Sequence, residues 1–302
     1  MSGRFAPTPS YDLHLGNLRT ALAAWLAARA SGREFLIRVE DLDAMRMQGS
    51  EEIAQRQLAD LAELGLTHDG PVVHQKDRFD VYGRVMDSMS GRVYECFCSR
   101  KDILLAAEAP HGVVPAYSGR CRHLSESEKA RLRDVRAPAW RVDTGGARQK
   151  VTDLLHGEVE AAVDDFVIRR ADGVYSYNFA VVVDDGLQGV DQVVRGADLW
   201  ESTPRQAWLA TVLGFQVPQY AHIGLVYSFD GTRLAKRDHA SGLRSLHTNG
   251  MSTPQILSNL AHSLGLANQG EIVTLNDLVS RFSISALPTQ VWRLEGNPTP
   301  CQ

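Results

Sequence analysis

The stretch RFAPTPSYDLHLGNLRTALAAWLAARASGREFLIRVEDLD, residues 4–43, decides the fold. It reads as a strand, a tight turn, a helix and a second strand. Arg4 to Pro7 is a short extended run, and Pro7 and Pro9 forbid helix there. His14-Leu15-Gly16-Asn17 stands at the mouth of a helix in which Leu18, Leu22, Trp25, Leu26 and Arg29 recur at helical spacing. The first turn of such a helix carries unpaired N–H groups at the positive end of its dipole, which makes it an anion site. Gly16 has no Cβ, so phosphates can approach the backbone, although a glycine there also serves close packing of helix on strand. Glu34 to Val39 gives the second strand, which ends in the acidic cluster Glu40, Asp41 and Asp43.

Outward from this stretch, residues 50–66 form an amphipathic helix ended by Gly65, and Arg78 to Met89 another. Gly91 to Cys98 reads as a short strand. Residues 99–150 look like an insertion, broken by Pro110, Gly112, Pro115, Gly119, Pro138, Gly145 and Gly146. Val163 to Arg169 and Val174 to Val183 read as strands. The second is apolar enough to be buried in a parallel sheet and is closed by a turn at Asp184-Asp185-Gly186. A helix over Leu199 to Leu213, a strand over Ile223 to Phe229 and a helix from Thr253 to Leu264 follow. Strands alternating with helices predict an α/β, doubly wound sheet with its site at the strand C-termini.

The totals bound the function. The chain has 302 residues, 44% hydrophobic and 23% charged, enough for one large domain with an insertion or for two domains. No run approaches the roughly 18 apolar residues of a membrane span. MSGRF carries no apolar leader, so a cytoplasmic location without a membrane partner is expected. The net charge of −4 excludes a chain that binds nucleic acid through its overall charge. A local patch remains possible: Gly119 to Lys150 holds nine basic residues against four acidic ones. Such a stretch is either a solvated face laced with ion pairs or a surface that contacts RNA phosphates. Of four cysteines, Cys96, Cys98 and Cys121 cluster and Cys301 stands alone, a spacing that favours metal over disulfides. Three thiolates suit zinc and need a fourth ligand, for which His111 and His123 are near in sequence.

FAPTPSYDLHLGNLRTALAAW followed by FLIRVEDLD resembles the N-terminal signature of the class I glutamyl-tRNA synthetases, with His14 to Asn17 matching the family's HIGH-type tetrapeptide. The family usually has Thr-Gly-Pro where this chain has Ser10-Tyr11-Asp12, so Tyr11 replaces a glycine. Arg233-Leu234-Ala235-Lys236-Arg237 resembles the second signature, the KMSKS-type loop, with Ala235 for the usual serine. The resemblance implies a Rossmann-like catalytic core that activates L-glutamate with ATP and Mg²⁺. His14, Gly16, Asn17 and Lys236 would bind ATP, and His14 and Lys236 would stabilise charge on the phosphates. Glutamate has two carboxylates and an ammonium, so its site should offer arginines and an acid. Arg4 and Arg195 are the arginine candidates, Glu40 the acid and Tyr177 a hydroxyl donor. Each has a plainer reading: Arg195 as partner of Asp198, Tyr177 as core edge, Glu40 as a capping acid. The resemblance places all four in the glutamate site, with Ala6 and Thr8.

Cys-x-Cys…Tyr-x-x-x-Cys matches the zinc pattern of a truncated branch of that family, the glutamyl-queuosine tRNA(Asp) synthetases, and points to Tyr117 as the fourth ligand. About 60 residues follow the RLAKR loop, too few for a typical anticodon-binding domain, so none is expected. The implied organisation has four parts. Residues 1–95 are the first half of the catalytic domain and 96–172 an inserted, zinc-bearing, acceptor-type subdomain. Residues 173–245 are the second half, and 246–302 a short helical C-terminal segment. The implied activity is transfer of glutamate to queuosine in the anticodon of tRNA(Asp) by a monomer. The alternatives are a truncated synthetase charging a tRNA 3′ end and an inactive RNA-binding module.

Overall fold

The computed structural model describes residues 1–43, 49–99, 102, 117–228, 231, 234 and 242–294. Strand β1 (Ser2–Phe5) runs into the two-proline turn, and helix α1 (Leu15–Ala30) follows with His14 as its cap. Strand β2 (Glu34–Val39) lies parallel to β1, with Arg4 opposite Leu36. Helix α2 (Ser50–Glu63) is ended by Gly65 in the left-handed region, and strand β3 (Val73–His74) and helix α3 (Phe79–Ser88) come next. Helix α1 is buried on almost every side, which its Ala- and Leu-rich sequence permits. Helices α1, α2 and α3 and strand β2 follow the sequence expectation closely, β1 lies two residues upstream of the expected run, and β3 was not expected.

The insertion begins with strand β4 (Val93–Cys96), helix α4 (Glu126–Arg133) and strand β5 (Ala139–Val142). A hairpin of β6 (Arg148–Asp153) and β7 (Gly157–Ala162) precedes β8 (Val167–Arg169). Strands β4, β5 and β8 make a small antiparallel sheet of their own. The hairpin leaves it and joins the main sheet through β6. After the insertion come helix α5 (Tyr177–Leu187), strand β9 (Val190–Gly196), helix α6 (Thr203–Val212), and strands β10 (Gln219–Ile223) and β11 (Val226–Tyr227). Helices α7 (Leu243–Thr248), α8 (Thr253–Ser263) and α9 (Leu275–Arg281) and strand β12 (Trp292–Arg293) complete the described chain. The main sheet has the order β3-β2-β1-β9-β10-β6-β7, and only β6 with β7 is antiparallel. Strand order reverses between β1 and β9, and the crevice at such a reversal is where parallel sheets bind ligands.

Two expectations are corrected. Val174 to Val183 is not a strand. From Tyr177 it is helix α5, N-capped by the Ser176 hydroxyl, and Asp184, Asp185 and Gly186 continue the helix instead of ending it. The helix is buried all round, so its apolar run shows no polar face, and three consecutive valines mimic a strand. The strand expected over Ile223 to Phe229 is broken at Gly224 into β10 and β11.

In the basic stretch Gly119 to Lys150, six basic side chains are ion-paired, as the first of its two readings expects. Arg122 pairs with Asp143 and Asp165, Lys129 with Glu126, Arg133 with Glu95, Arg136 with Asp102, Arg148 with Glu160, and Lys150 with Glu158. Several of these acids come from outside Gly119 to Lys150, so a local charge count could not see them.

Gly186 lies where helices α5 and α6 meet, and a Cβ there would stand 2.3 Å from the Phe215 ring. Gly186→Ala should therefore lower unfolding stability by about 1–3 kcal/mol through overpacking. Urea denaturation of the purified variant measures it.

Candidate active site

The cavity at the strand-order reversal has a volume of about 620 Å³. Arg4 from β1, Glu40 after β2, Tyr177 opening α5 and Arg195 from β9 all line it. Ala6, Thr8, His14, Gly16 and Asn17 line the same space. Every site residue read from the sequence that falls within the described residues of the catalytic core thus meets in one cavity. Lys236, Arg233 and Arg237 lie outside the described residues. Leu234, between them, is buried, lines the cavity and donates its amide to the Val226 carbonyl at 3.2 Å.

Arg4 is held by Asp185, with Nε and Nη2 each 3.3 Å from a carboxylate oxygen. Arg38, two residues before Glu40 and fully buried, lies 2.8 Å from Asp185, 3.6 Å from Asp184 and 3.5 Å from Glu40. Asp184 also accepts from Gln75, Arg78 and Tyr82. Burial alone would push the Asp185 carboxyl up, but Arg4 and Arg38 overcome it and hold it below its usual range. Glu40 is different. Burial dominates, the arginines offset it only in part, and its pKa rises to about 7. A buried carboxylate in that condition is completed by a cation.

Arg195 is oriented by neutral acceptors. It donates to His222 Nε2 at 3.0 Å, Gln206 Oε1 at 2.7 Å, Thr203 Oγ1 at 2.7 Å and the Leu199 carbonyl at 3.4 Å. His222 donates from Nδ1 to Asp153 at 2.6 Å, which leaves Nε2 as acceptor for Arg195. Burial and the Arg195 charge hold the His222 pKa below its ordinary value despite Asp153, so the imidazole is neutral, as this geometry needs. Asp153 ends strand β6 and also accepts from the amides of Leu155, His156 and His222. Sequence reading missed Asp184, Asp185, Arg38, Asp153 and His222. The one local signal was acids and a histidine inside otherwise apolar runs.

At the mouth of α1, His14 and Asn17 form a reciprocal cap. His14 Nδ1 accepts from the Asn17 amide at 3.3 Å, and Asn17 Oδ1 accepts from the His14 amide at 3.2 Å. A Cβ on Gly16 would stand 2.9 Å from the His14 ring, so the glycine makes room for the imidazole as well as for a ligand. Tyr11 is exposed, and Gln57 of α2 fastens its loop by donating to the carbonyls of Thr8 and Tyr11 at 3.1 and 2.6 Å.

In the insertion, the sulfurs of Cys96, Cys98 and Cys121 lie within 4.8 Å of one another. The Tyr117 hydroxyl is 3.4 Å from Cys96 and 3.6 Å from Cys98. Tetrahedral zinc with ordinary bond lengths would put sulfurs about 3.8 Å apart and a phenol oxygen about 3.5 Å from each, so the donor set fits a metal. Arg141 adds positive charge, with Nε 3.3 Å from Cys96 and its guanidinium 3.9 Å over the Tyr117 ring. His123 is exposed and does not join the cluster, and His111 and Cys301 lie outside the described residues.

Residues 1–296 match the catalytic domain of the tRNA synthetases of class I, the E and Q group. A glutamyl-Q tRNA(Asp) synthetase of Nocardia farcinica is 50% identical over 307 residues, which cover 99% of this chain and 96% of that protein. Another, from Cutibacterium acnes, is 48% identical over 96% of this chain and 82% of its own length. The crystal structure of a glutamate-tRNA synthetase from Elizabethkingia anophelis superposes with a TM-score of 0.80 at 27% identity, over 97% of this chain and 67% of that one. The chain belongs to the class I glutamate and glutamine tRNA synthetases and, among these ligases, to the glutamyl-Q tRNA(Asp) synthetases.

Glu40 carries the pH dependence of the site. Its pKa of about 7 lies above the ordinary carboxyl value, so it is neutral below pH 7 and ionised above. A ligand ammonium seated against it binds the ionised form. Lowering pH from 8 to 6 should therefore raise that ligand's dissociation constant about tenfold. Calorimetric titration across pH measures it, and Glu40→Gln should flatten the profile.

Proposed function

We propose that the chain uses ATP to activate L-glutamate as glutamyl-adenylate and passes the glutamate to queuosine in the anticodon of tRNA(Asp). The observation that carries this reading is the meeting of Arg4, Arg195 and Glu40 in one cavity beside the His14 helix mouth. Two guanidiniums and one acid match a molecule with two carboxylates and an ammonium. Ala6, Thr8 and Tyr177 would complete the amino-acid site.

The glutamate α-carboxylate would attack the α-phosphorus of ATP in line. A carboxylate oxygen–phosphorus bond forms, the bond to the bridging oxygen of pyrophosphate breaks, and pyrophosphate leaves with that electron pair. The nucleophile is already an anion, so no general base is needed, and the work is positioning and electrostatics. His14, the N–H group of Gly16, the side-chain amide of Asn17 and Lys236 would meet the phosphates. Mg²⁺ bound with ATP would neutralise phosphate charge there. In the second step a queuosine hydroxyl oxygen would bond the glutamyl carbonyl carbon, the bond from that carbon to the adenylate oxygen breaks, and AMP leaves with the electron pair while the hydroxyl proton passes to water. The identity of the relatives supports tRNA(Asp) as acceptor.

The decisive test offers labelled glutamate and ATP with tRNA(Asp), with and without queuosine, and with and without its 3′-terminal adenosine. Labelling should need queuosine and survive removal of the 3′ adenosine. Labelling that needs an intact 3′ end and not queuosine would make the enzyme a 3′-charging synthetase.

The cysteine cluster would hold one structural zinc through Cys96, Cys98, Cys121 and Tyr117. Its small core includes little beyond these residues, Tyr94 and Leu124, so a metal would staple a subdomain with few apolar contacts. Elemental analysis should find one zinc per chain in wild type and much less after dialysis of Tyr117→Phe against a mild chelator. Equal retention in both would remove Tyr117 from the ligand set.

A further inference from the structure

Arg19, on the His14 helix, is fully buried, and burial pulls its pKa down to about 10. Its hydrogen bonds go to neutral oxygens: Gly224 O at 2.7 Å, Ser263 Oγ at 3.1 Å and Ser263 O at 3.1 Å. Among the described residues no carboxylate pairs with it. A buried charge kept without an acid costs stability that a methionine of similar length would not. The negative end of the α8 dipole, at Ser263, offsets only part of that cost.

What Arg19 touches explains its retention. Gly224 is gripped from two sides. Its carbonyl accepts from Arg19 and its amide donates to Pro288 O at 3.0 Å, while a Cβ there would fall 1.8 Å from Gln290 O. Strand β12 then pairs with β11, with the amides of Trp292 and Leu294 each 2.9 Å from the carbonyls of Leu225 and Tyr227. The residue so held is Val226, whose Cβ lies 3.6 Å from where a Gly16 Cβ would stand. Gly16, Gly224 and Val226 all line the cavity, and Val226 accepts from Leu234, inside the second signature.

We propose that Arg19 and the C-terminal strap over residues 288–294 form a positioning clamp that sets the spacing between the two ATP-binding signatures. Arg19 touches no ligand; it fixes the backbone that does. The C-terminal segment thereby belongs to the nucleotide site and not to a separate appendage. The inference rests on the proposed use of ATP.

The test is glutamate-dependent ATP–pyrophosphate exchange in full-length wild type, Arg19→Met and Leu294→Pro. The proline removes one amide from the strap at its outer end. Both variants should show a KM for ATP raised about tenfold or more, as a slipped binding geometry would produce, with glutamate affinity within about twofold of wild type. The Arg19→Met melting temperature should fall, because the Gly224 and Ser263 carbonyls lose their donor. An unaltered KM for ATP in either folded variant, with or without a fall in melting temperature, overturns the clamp. Absence of exchange in wild type would instead count against the proposed activity itself.

Discussion

Two adjacent aspartates on one buried helix hold the site together. Asp184 and Asp185 face Arg38 and Arg4, which reach them from neighbouring parallel strands. None of the four can lose its partner cheaply, because an uncompensated charge left in a dry interior costs on the order of 3–5 kcal/mol. Arg4 therefore reaches the cavity in one orientation. Glu40 feels the same network differently: it shares Arg38 with two stronger competitors, and burial prevails over attraction. One cluster thus supplies both a rigid cation and an acid that awaits a cation.

The N-terminal signature was legible because its signals are local. Prolines, a run of Ala and Leu at helical spacing and a strand of six residues are local signals, and α1 and β2 fall where they were expected, with β1 two residues upstream. Helix α5 was not legible. Its valines favour strand locally, and only Ser176 at its start argues for helix, while burial on every side comes from β8, α3, α6 and β9 packing around it. The hairpin β6–β7 escaped for the opposite reason. RQKVTD and GEVEAA are polar enough to read as surface loop, and their pairing in register, Val151 opposite Val159, is a tertiary fact.

In the site, the residues that would touch ligand were readable and those that hold them were not. Arg4, Arg195 and Glu40 follow from asking what charges a dicarboxylic amino acid needs. Asp153, His222 and Arg19 answer a question that exists only after folding. Asp153 and His222 are 69 residues apart in the chain and 2.6 Å apart in space. Nothing in VTDLL or YAHIG announces that pairing.

The two arginines differ in a way that bears on selectivity. Arg4 already has a carboxylate partner in Asp185, whereas the hydrogen bonds of Arg195 go to histidine, amide, hydroxyl and carbonyl acceptors. Neutral acceptors orient a guanidinium without cancelling its charge. On the proposed activity, a ligand carboxylate would gain more at Arg195 than at Arg4, and glutamine, which offers a neutral amide for one of glutamate's two carboxylates, would lose a charge-assisted bond in a buried setting. That kind of loss discriminates more strongly than a difference in size. The device depends on His222 presenting Nε2 as an acceptor, hence on the bond from its Nδ1 to Asp153, hence on the hairpin by which the insertion rejoins the main sheet. The insertion is thus a structural part of how the cavity sorts its ligands.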